Sequence, residues 1–131
     1  MVSFELATPT RILFGAGRVA EVPGAVAALG VRRALLVTGR SAERSGPLAA
    51  ALEARGIATV PLRVGGEPTV DLVREGTAAA RGARCDGVVA LGGGSALDAG
   101  KAIAALAASG GDPLDHLEVV GRGRPLAAPA L

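Results

Sequence analysis

Along this chain, short unbroken apolar runs take turns with segments whose apolar residues recur at helical spacing. Ala34 to Thr38, Ile57 to Leu62 and Gly87 to Leu91 are runs of the kind that form strands, and continuous apolarity suits strands covered on both faces. Between them the spacing predicts helices. One spans Pro23 to about Leu29 and is closed by Gly30, and one spans about Pro47 to Arg55 and is ended by Gly56. A third opens at Pro68-Thr69 and places Val70, Val73, Thr77 and Ala80 on one face. After the last strand, the alanine-rich run from Lys101 to Ala108 predicts a fourth helix. Strands alternating with helices of this length predict an α/β fold, a Rossmann-like parallel sheet with helices on both faces, whose ligands bind beyond the carboxyl ends of the strands. Ahead of this alternation, Ser3–Leu6 and Arg11–Phe14 flank Thr8-Pro9-Thr10 and predict an amino-terminal β-hairpin.

Length and composition narrow the classes. With 131 residues, half of them hydrophobic and a fifth charged, the chain has room for one compact domain. No uncharged apolar stretch reaches membrane-spanning length, so no membrane partner is expected. The start, Met1 to Glu5, has neither the basic segment nor the apolar core of a secretory signal, and Cys85 is the only cysteine; a cytoplasmic setting is the expectation. Cys85 precedes a strand and reads as a small apolar filler without a redox role. A net charge of +2, scattered arginines and only two aromatic residues give neither a basic stripe nor stacking platforms, which argues against a nucleic-acid partner.

Chemistry concentrates where the strand at 87–91 runs into the next helix through Gly92-Gly93-Gly94-Ser95-Ala96-Leu97-Asp98-Ala99-Gly100-Lys101. Glycines let an anion approach the main chain, and the unpaired N–H groups of a helix's first turn, at the positive end of its dipole, face that anion. Ser95 with Asp98 also fits a capping box, in which case both serve the helix start. A cap needs only one glycine, so the three together assign Gly93, Gly94 and Ser95 to a pyrophosphate, with Ser95 capping as well. Asp98 and Lys101, one turn apart, form at the least an i,i+3 ion pair. Lys101 is the only lysine, and both a structural and a cofactor-orienting role are open to it. A P-loop is rejected because five residues, not four, separate Gly94 from Gly100, and Ala102 follows the lysine. Gly15-Ala16-Gly17-Arg18-Val19-Ala20 matches a dinucleotide fingerprint, yet Pro23 would fall inside the helix it must open; the segment reads as a turn.

The segment GGGSALDAGK resembles the GGGSxxDxAK segment of the iron-containing alcohol dehydrogenases, with Gly100 standing for the usual alanine. Phe14 to Arg18, Leu36 to Gly39, Gly65 to Thr69 and Cys85 to Gly87 resemble that family in the same order and spacing. The resemblance covers nearly the whole chain but only the family's amino-terminal, cofactor-binding half. It implies a dinucleotide-binding α/β domain over 1–120 and, over 121–131, a connector rich in proline and glycine leading to a missing carboxy-terminal domain. That helical domain, absent here, would carry an aspartate and three histidines for a divalent metal, iron or zinc, present only in the full-length enzyme. The resemblance further implies hydride transfer between an alcohol or aldehyde and a nicotinamide, with no turnover by this chain alone. It places Asp98 near the nicotinamide and Glu67 and Pro68 beside the dinucleotide.

No catalytic residue and no metal ligand are assigned within the chain. His116, its only histidine, lies in a segment, Asp112 to Glu118, that reads as a solvated loop. At the end of the strand 34–38 no acid is present to bind ribose hydroxyls. Thr38-Gly39-Arg40-Ser41 offers instead space, a guanidinium and a hydroxyl, which suits NADP over NAD. The cofactor-binding set is therefore Gly39, Arg40, Ser41, Glu67, Pro68, Gly92, Gly93, Gly94, Ser95, Asp98 and Lys101. Two alternatives remain: a maleylacetate reductase-like domain, or a non-catalytic nucleotide-binding module that forms a homodimer through the amino-terminal hairpin.

Overall fold

A computed structural model of the chain describes residues 11–41, 43 and 45–126. Its elements in order are a 3₁₀ turn at Arg18–Glu21, α1 (Val22–Ala28), β1 (Arg33–Thr38), α2 (Ser45–Glu53), β2 (Ala58–Arg63), α3 (Val70–Gly82), β3 (Gly87–Leu91), α4 (Gly94–Ser109) and α5 (Pro113–His116). Among the described residues the sheet has three strands in the order β2-β1-β3, both pairings parallel. The middle strand is the most buried, every residue after Arg33 being buried, as suits a strand with neighbours on both edges and helices on both faces. Pro61, which cannot donate to a ladder, falls in the outer strand β2.

The two-residue period of β1 divides the core. Ala34 and Leu36 pack with Val26 of α1, Leu48 and Leu52 of α2, Ile57 and Val89. Leu35 and Val37 point the other way and pack with Val73 and Ala80 of α3 and Ala99, Ile103 and Leu106 of α4. Each fully buried leucine or isoleucine in these layers contributes about 2 kcal/mol. The chain thus leaves the end of β1 towards one face and the end of β3 towards the other. The two departing loops separate above the sheet, and an open α/β sheet admits a ligand at such a point.

Local signals explain most boundaries. Pro23 lies in the first turn of α1, and Gly30 and Gly56 take positive φ of 81° and 76° just after α1 and α2, where residues with a side chain are strained. The Thr69 side chain accepts from the Leu72 N–H at 3.1 Å and caps α3. Residues 15–17 form the expected turn, and among the described residues no strand precedes them.

Two expectations need amendment. Arg11–Phe14 is not a strand, and Ser3–Leu6 with Thr8-Pro9-Thr10 lies outside the described residues. The segment at Asp112 is not a loop: the Asp112 carboxylate accepts from the Leu114 N–H at 3.0 Å, the Asp112 N–H donates to the Asp115 carboxylate at 3.2 Å, and with Pro113 next this starts the one-turn helix α5. The residues after it, to 126, hold no helix or strand but are tied down. Arg122 and Gly123 donate N–H bonds to the Leu114 and Leu117 carbonyls, and Gly121 passes so close that a Cβ there would lie 2.2 Å from the Leu114 oxygen.

Candidate dinucleotide site

The carboxyl ends of the three strands are fastened to one another. The Gly39 N–H donates to the Leu91 carbonyl at 3.2 Å, and the Val64 N–H donates to the Thr38 carbonyl at 2.7 Å. Above them lies a cavity of about 430 Å³ lined by Gly39, Arg40, Val64, Gly66, Glu67, Gly93, Gly94, Ser95 and Ala96. Six of the residues singled out from sequence, Gly39, Arg40, Glu67, Gly93, Gly94 and Ser95, therefore meet in one cleft although they come from three loops. Val64, Gly66 and Ala96 were not singled out. The double glycine directly after β2 was the available signal for Gly66.

Helix α4 begins two residues earlier than a cap at Ser95 requires. Gly93 is its N-cap, no side chain caps it, and the first bonds run from the Ala96 and Leu97 N–H groups to the Gly93 carbonyl at 3.1 and 3.2 Å. Ser95 therefore does not cap, and the expected capping box with Asp98 is not formed. Consecutive glycines let the backbone turn helical before the serine is reached. The consequence is chemical, because the N–H groups of Gly94 and Ser95 precede the first intrahelical bonds and point out of the helix end. A Cβ added to Gly93 would meet no atom within 4 Å, so its bareness serves the open cleft rather than packing. Gly92 differs. Its φ is 156°, and a Cβ there would come 2.9 Å from the Ala96 Cβ and 3.2 Å from the Gly39 nitrogen, so it seals the junction behind the cleft.

Arg40 reaches over the end of β1, its Nε donating to the Gly65 carbonyl. Ser41 is exposed and outside the lining. Lys101 and Asp98 form an exposed ion pair at 3.8 Å, and Lys101 lines neither of the two cavities at this end. Pro68 and Asp98 line the second of these, of about 360 Å³, whose walls are Val70, Val73, Ala102, Leu106 and the α5 corner. His116, expected to be solvated, is half-buried there, with Nδ1 hydrogen-bonded to the Arg124 carbonyl at 2.8 Å.

That corner is held by charge. Arg74 of α3 grips Asp112 with Nε at 2.6 Å and Nη2 at 2.8 Å, and Arg122 bonds Asp115 at 2.9 Å. The Arg74 side chain holds the Asp112 carboxyl below its ordinary range, and the Asp112 N–H does the same for Asp115. Cys85 packs partly buried against α3 and α4, and burial pushes its thiol up, which disfavours the reactive thiolate. Among the described residues, no three of His, Cys, Asp and Glu come together as a metal site, and no helix is long and apolar enough to cross a membrane.

The glycine walls, free helix N–H groups and one guanidinium fit a dinucleotide's diphosphate and its charged neighbours. The profile described as iron-containing alcohol dehydrogenase matches residues 9–131. Choline dehydrogenase of Bacillus subtilis is 39% identical over 128 residues, which are 95% of this chain and 31% of that protein. The crystal structure of NADH-dependent butanol dehydrogenase A from Thermotoga maritima superposes with a TM-score of 0.81 at 26% identity, covering 98% of this chain and 33% of that one. Sulfoacetaldehyde reductase from Bifidobacterium kashiwanohense, solved with NAD+, superposes with a TM-score of 0.75 at 28% identity, covering 91% of this chain and 32% of that one. The chain spans about a third of the length of the curated relatives it matches.

Proposed function

Because this chain belongs to the iron-containing alcohol dehydrogenase family, we propose that it is the dinucleotide-binding domain of a metal-dependent alcohol dehydrogenase that prefers NADP. The observation that carries this reading is the glycine-walled cleft into which the first N–H groups of α4 open. Gly93, Gly94 and the Ser95 backbone take the diphosphate. Gly39 leaves room beside the adenosine ribose, and Arg40 provides the cation for a 2′-phosphate. The nicotinamide end extends from Ser95 towards Asp98 and Pro68, along the first turns of α4 and the start of α3.

When bound, the nicotinamide exchanges a hydride with an alcohol or aldehyde carbon. This chain's part is to bind the dinucleotide, fix its diphosphate and keep one face of it against the apolar walls. The described residues do not assemble a metal site. Without such a site the 131-residue chain is expected to have no alcohol-dependent turnover of its own. A cytoplasmic setting and pairing of two copies through the amino-terminal segment belong to the same reading.

Calorimetric titration of the chain with NADPH and with NADH, without added metal, tests the proposal. Saturable binding with NADPH the tighter is the expected result. Heat of binding with neither would overturn the reading, and NADH binding the tighter would overturn the NADP preference. In the variant Arg40→Asp, NADPH should weaken and NADH should hold or improve; equal loss of both would remove Arg40 from cofactor choice.

A further inference from the structure

The cleft contains a second charge of the opposite sign. Glu67 lines it together with Arg40, and its position there is enforced. Buried Val64 is bonded through its N–H to Thr38 at the end of β1, Gly65 and Gly66 follow, and Pro68 and the N-cap Thr69 lock the entry to α3. Glu67 is thereby carried over the end of β1, where Gly39 leaves that strand without an acid of its own. The guanidinium does not neutralise it. Arg40 bonds the uncharged Gly65 carbonyl, and among the described residues Arg40 and Glu67 form no ion pair. One cation and one carboxylate thus stand uncancelled in the same cavity.

We infer that Glu67 is a second determinant of cofactor choice, acting against Arg40 by accepting from ribose hydroxyls and repelling a 2′-phosphate. This rests on the dinucleotide reading above and adds to it a residue that β2 and α3, not β1, supply. A carboxylate accepts hydrogen bonds from a ribose diol but has no donor for a phosphate carrying close to two negative charges. The chain's preference for NADP is then a difference between two opposed terms, and removal of Glu67 sharpens it.

The test uses the 131-residue chain and the adenosine halves of the cofactors, adenosine 2′,5′-bisphosphate and 5′-AMP, titrated by calorimetry against the unaltered protein, Glu67→Gln and Glu67→Lys. The ratio of the two dissociation constants should move towards the bisphosphate by about fivefold in Glu67→Gln and further in Glu67→Lys, with 5′-AMP no tighter in either. Adding salt should shrink the shift, as it does for exposed charges. An unchanged ratio in both variants, or a shift in Glu67→Gln that Glu67→Lys reverses, would overturn the inference. If the unaltered chain binds neither NADPH nor NADH, the dinucleotide reading itself fails, an outcome distinct from an unchanged ratio. Glu67 is exposed, so the variants should keep the parent's unfolding midpoint, which circular dichroism checks.

Discussion

Two groups of glycines in this chain do opposite work. Gly39, Gly93 and Gly94 stand around the cleft, and a Cβ on Gly39 or Gly93 would meet nothing within 4 Å, while one on Gly94 would only graze the Asp98 carboxylate at 4.0 Å. Gly76 and Gly100 sit behind it in the α3–α4–β3 layer. A Cβ on Gly76 would lie 2.3 Å from the Ile103 Cδ1 and 2.8 Å from the Leu62 Cδ2, and one on Gly100 would lie 2.8 Å from the Ala90 Cβ. The interior glycines are bare because protein fills the space, and the cleft glycines are bare although no protein does. Space kept open at no packing advantage is what a ligand site requires. The contrast also explains the departure of Gly100 from the alanine usual in the segment it resembles, since Ala90 occupies the room an alanine there would need.

The largest way to break this comparison is Gly76→Val. The branched side chain must displace Ile103 and Leu62 inside a closed layer, so the unfolding free energy should fall by about 3 kcal/mol in a urea titration. Gly93→Val should behave in the opposite manner. Its unfolding free energy should fall by only about 1 kcal/mol, the cost of a valine at the N-cap of α4, while NADPH binding weakens by about 2 kcal/mol, roughly 30-fold. A Gly93→Val chain that binds NADPH normally would mean that the cleft glycines are not a phosphate cradle.

Gly100→Ala is smaller, at about 1 kcal/mol lost, and sharper, because Ala90→Gly in the same chain should restore most of it. The smallest effect is expected at the far end of the sheet, where Asp86 accepts from the Arg33 N–H at 2.8 Å and the Arg32 N–H at 3.0 Å. Desolvation pushes this carboxyl up, and those backbone bonds outweigh it, so the net shift is downward. Stability from Asp86 is therefore present above the ordinary carboxylate value and is lost as pH falls through the lowered one. Exposure keeps its size to about 0.5 kcal/mol. Asp86→Asn should lose that amount at neutral pH and be less acid-sensitive than the parent between those two values, as thermal unfolding across pH will measure.

The paired charges at the α5 corner are the other foil to the cleft. Arg74 is committed to Asp112 by two bonds and Arg122 to Asp115 by one, leaving neither carboxylate free for a ligand. In the cleft, Arg40 is only steadied by a carbonyl and Glu67 is unpaired by it. The same residue types are mortar in one place and candidate recognition groups in the other.

The sheet and its flanking helices were legible in the sequence because Ala34–Thr38 and Gly87–Leu91 are unbroken apolar runs and because Gly30, Gly56 and Thr69 are local stop and start signals. The start of α4 was not, since a glycine N-cap has no side chain to announce it and Ser95 offered a plausible substitute. Helix α5 escaped because its single turn depends on Asp112, which Arg74 holds from 38 residues away. For the site, the loops after β1 and β3 were legible as glycine-rich turns at strand ends. That Gly92 closes the junction while Gly93 opens on the cleft could not be read, because it depends on where Gly39 and Ala96 come to rest. The partner of Arg40 is a backbone carbonyl, to which every residue type is equal in sequence.

The most direct test of the account maps backbone amide chemical shifts of the uniformly ¹⁵N-labelled chain as NADPH is added. The amides of Gly39, Gly66, Gly93, Gly94 and Ser95 should move together and saturably while those of Gly76 and the α5 corner stay in place. Movement centred instead on the cavity beside His116 and Leu117, with the Gly93–Ser95 amides unmoved, would contradict it.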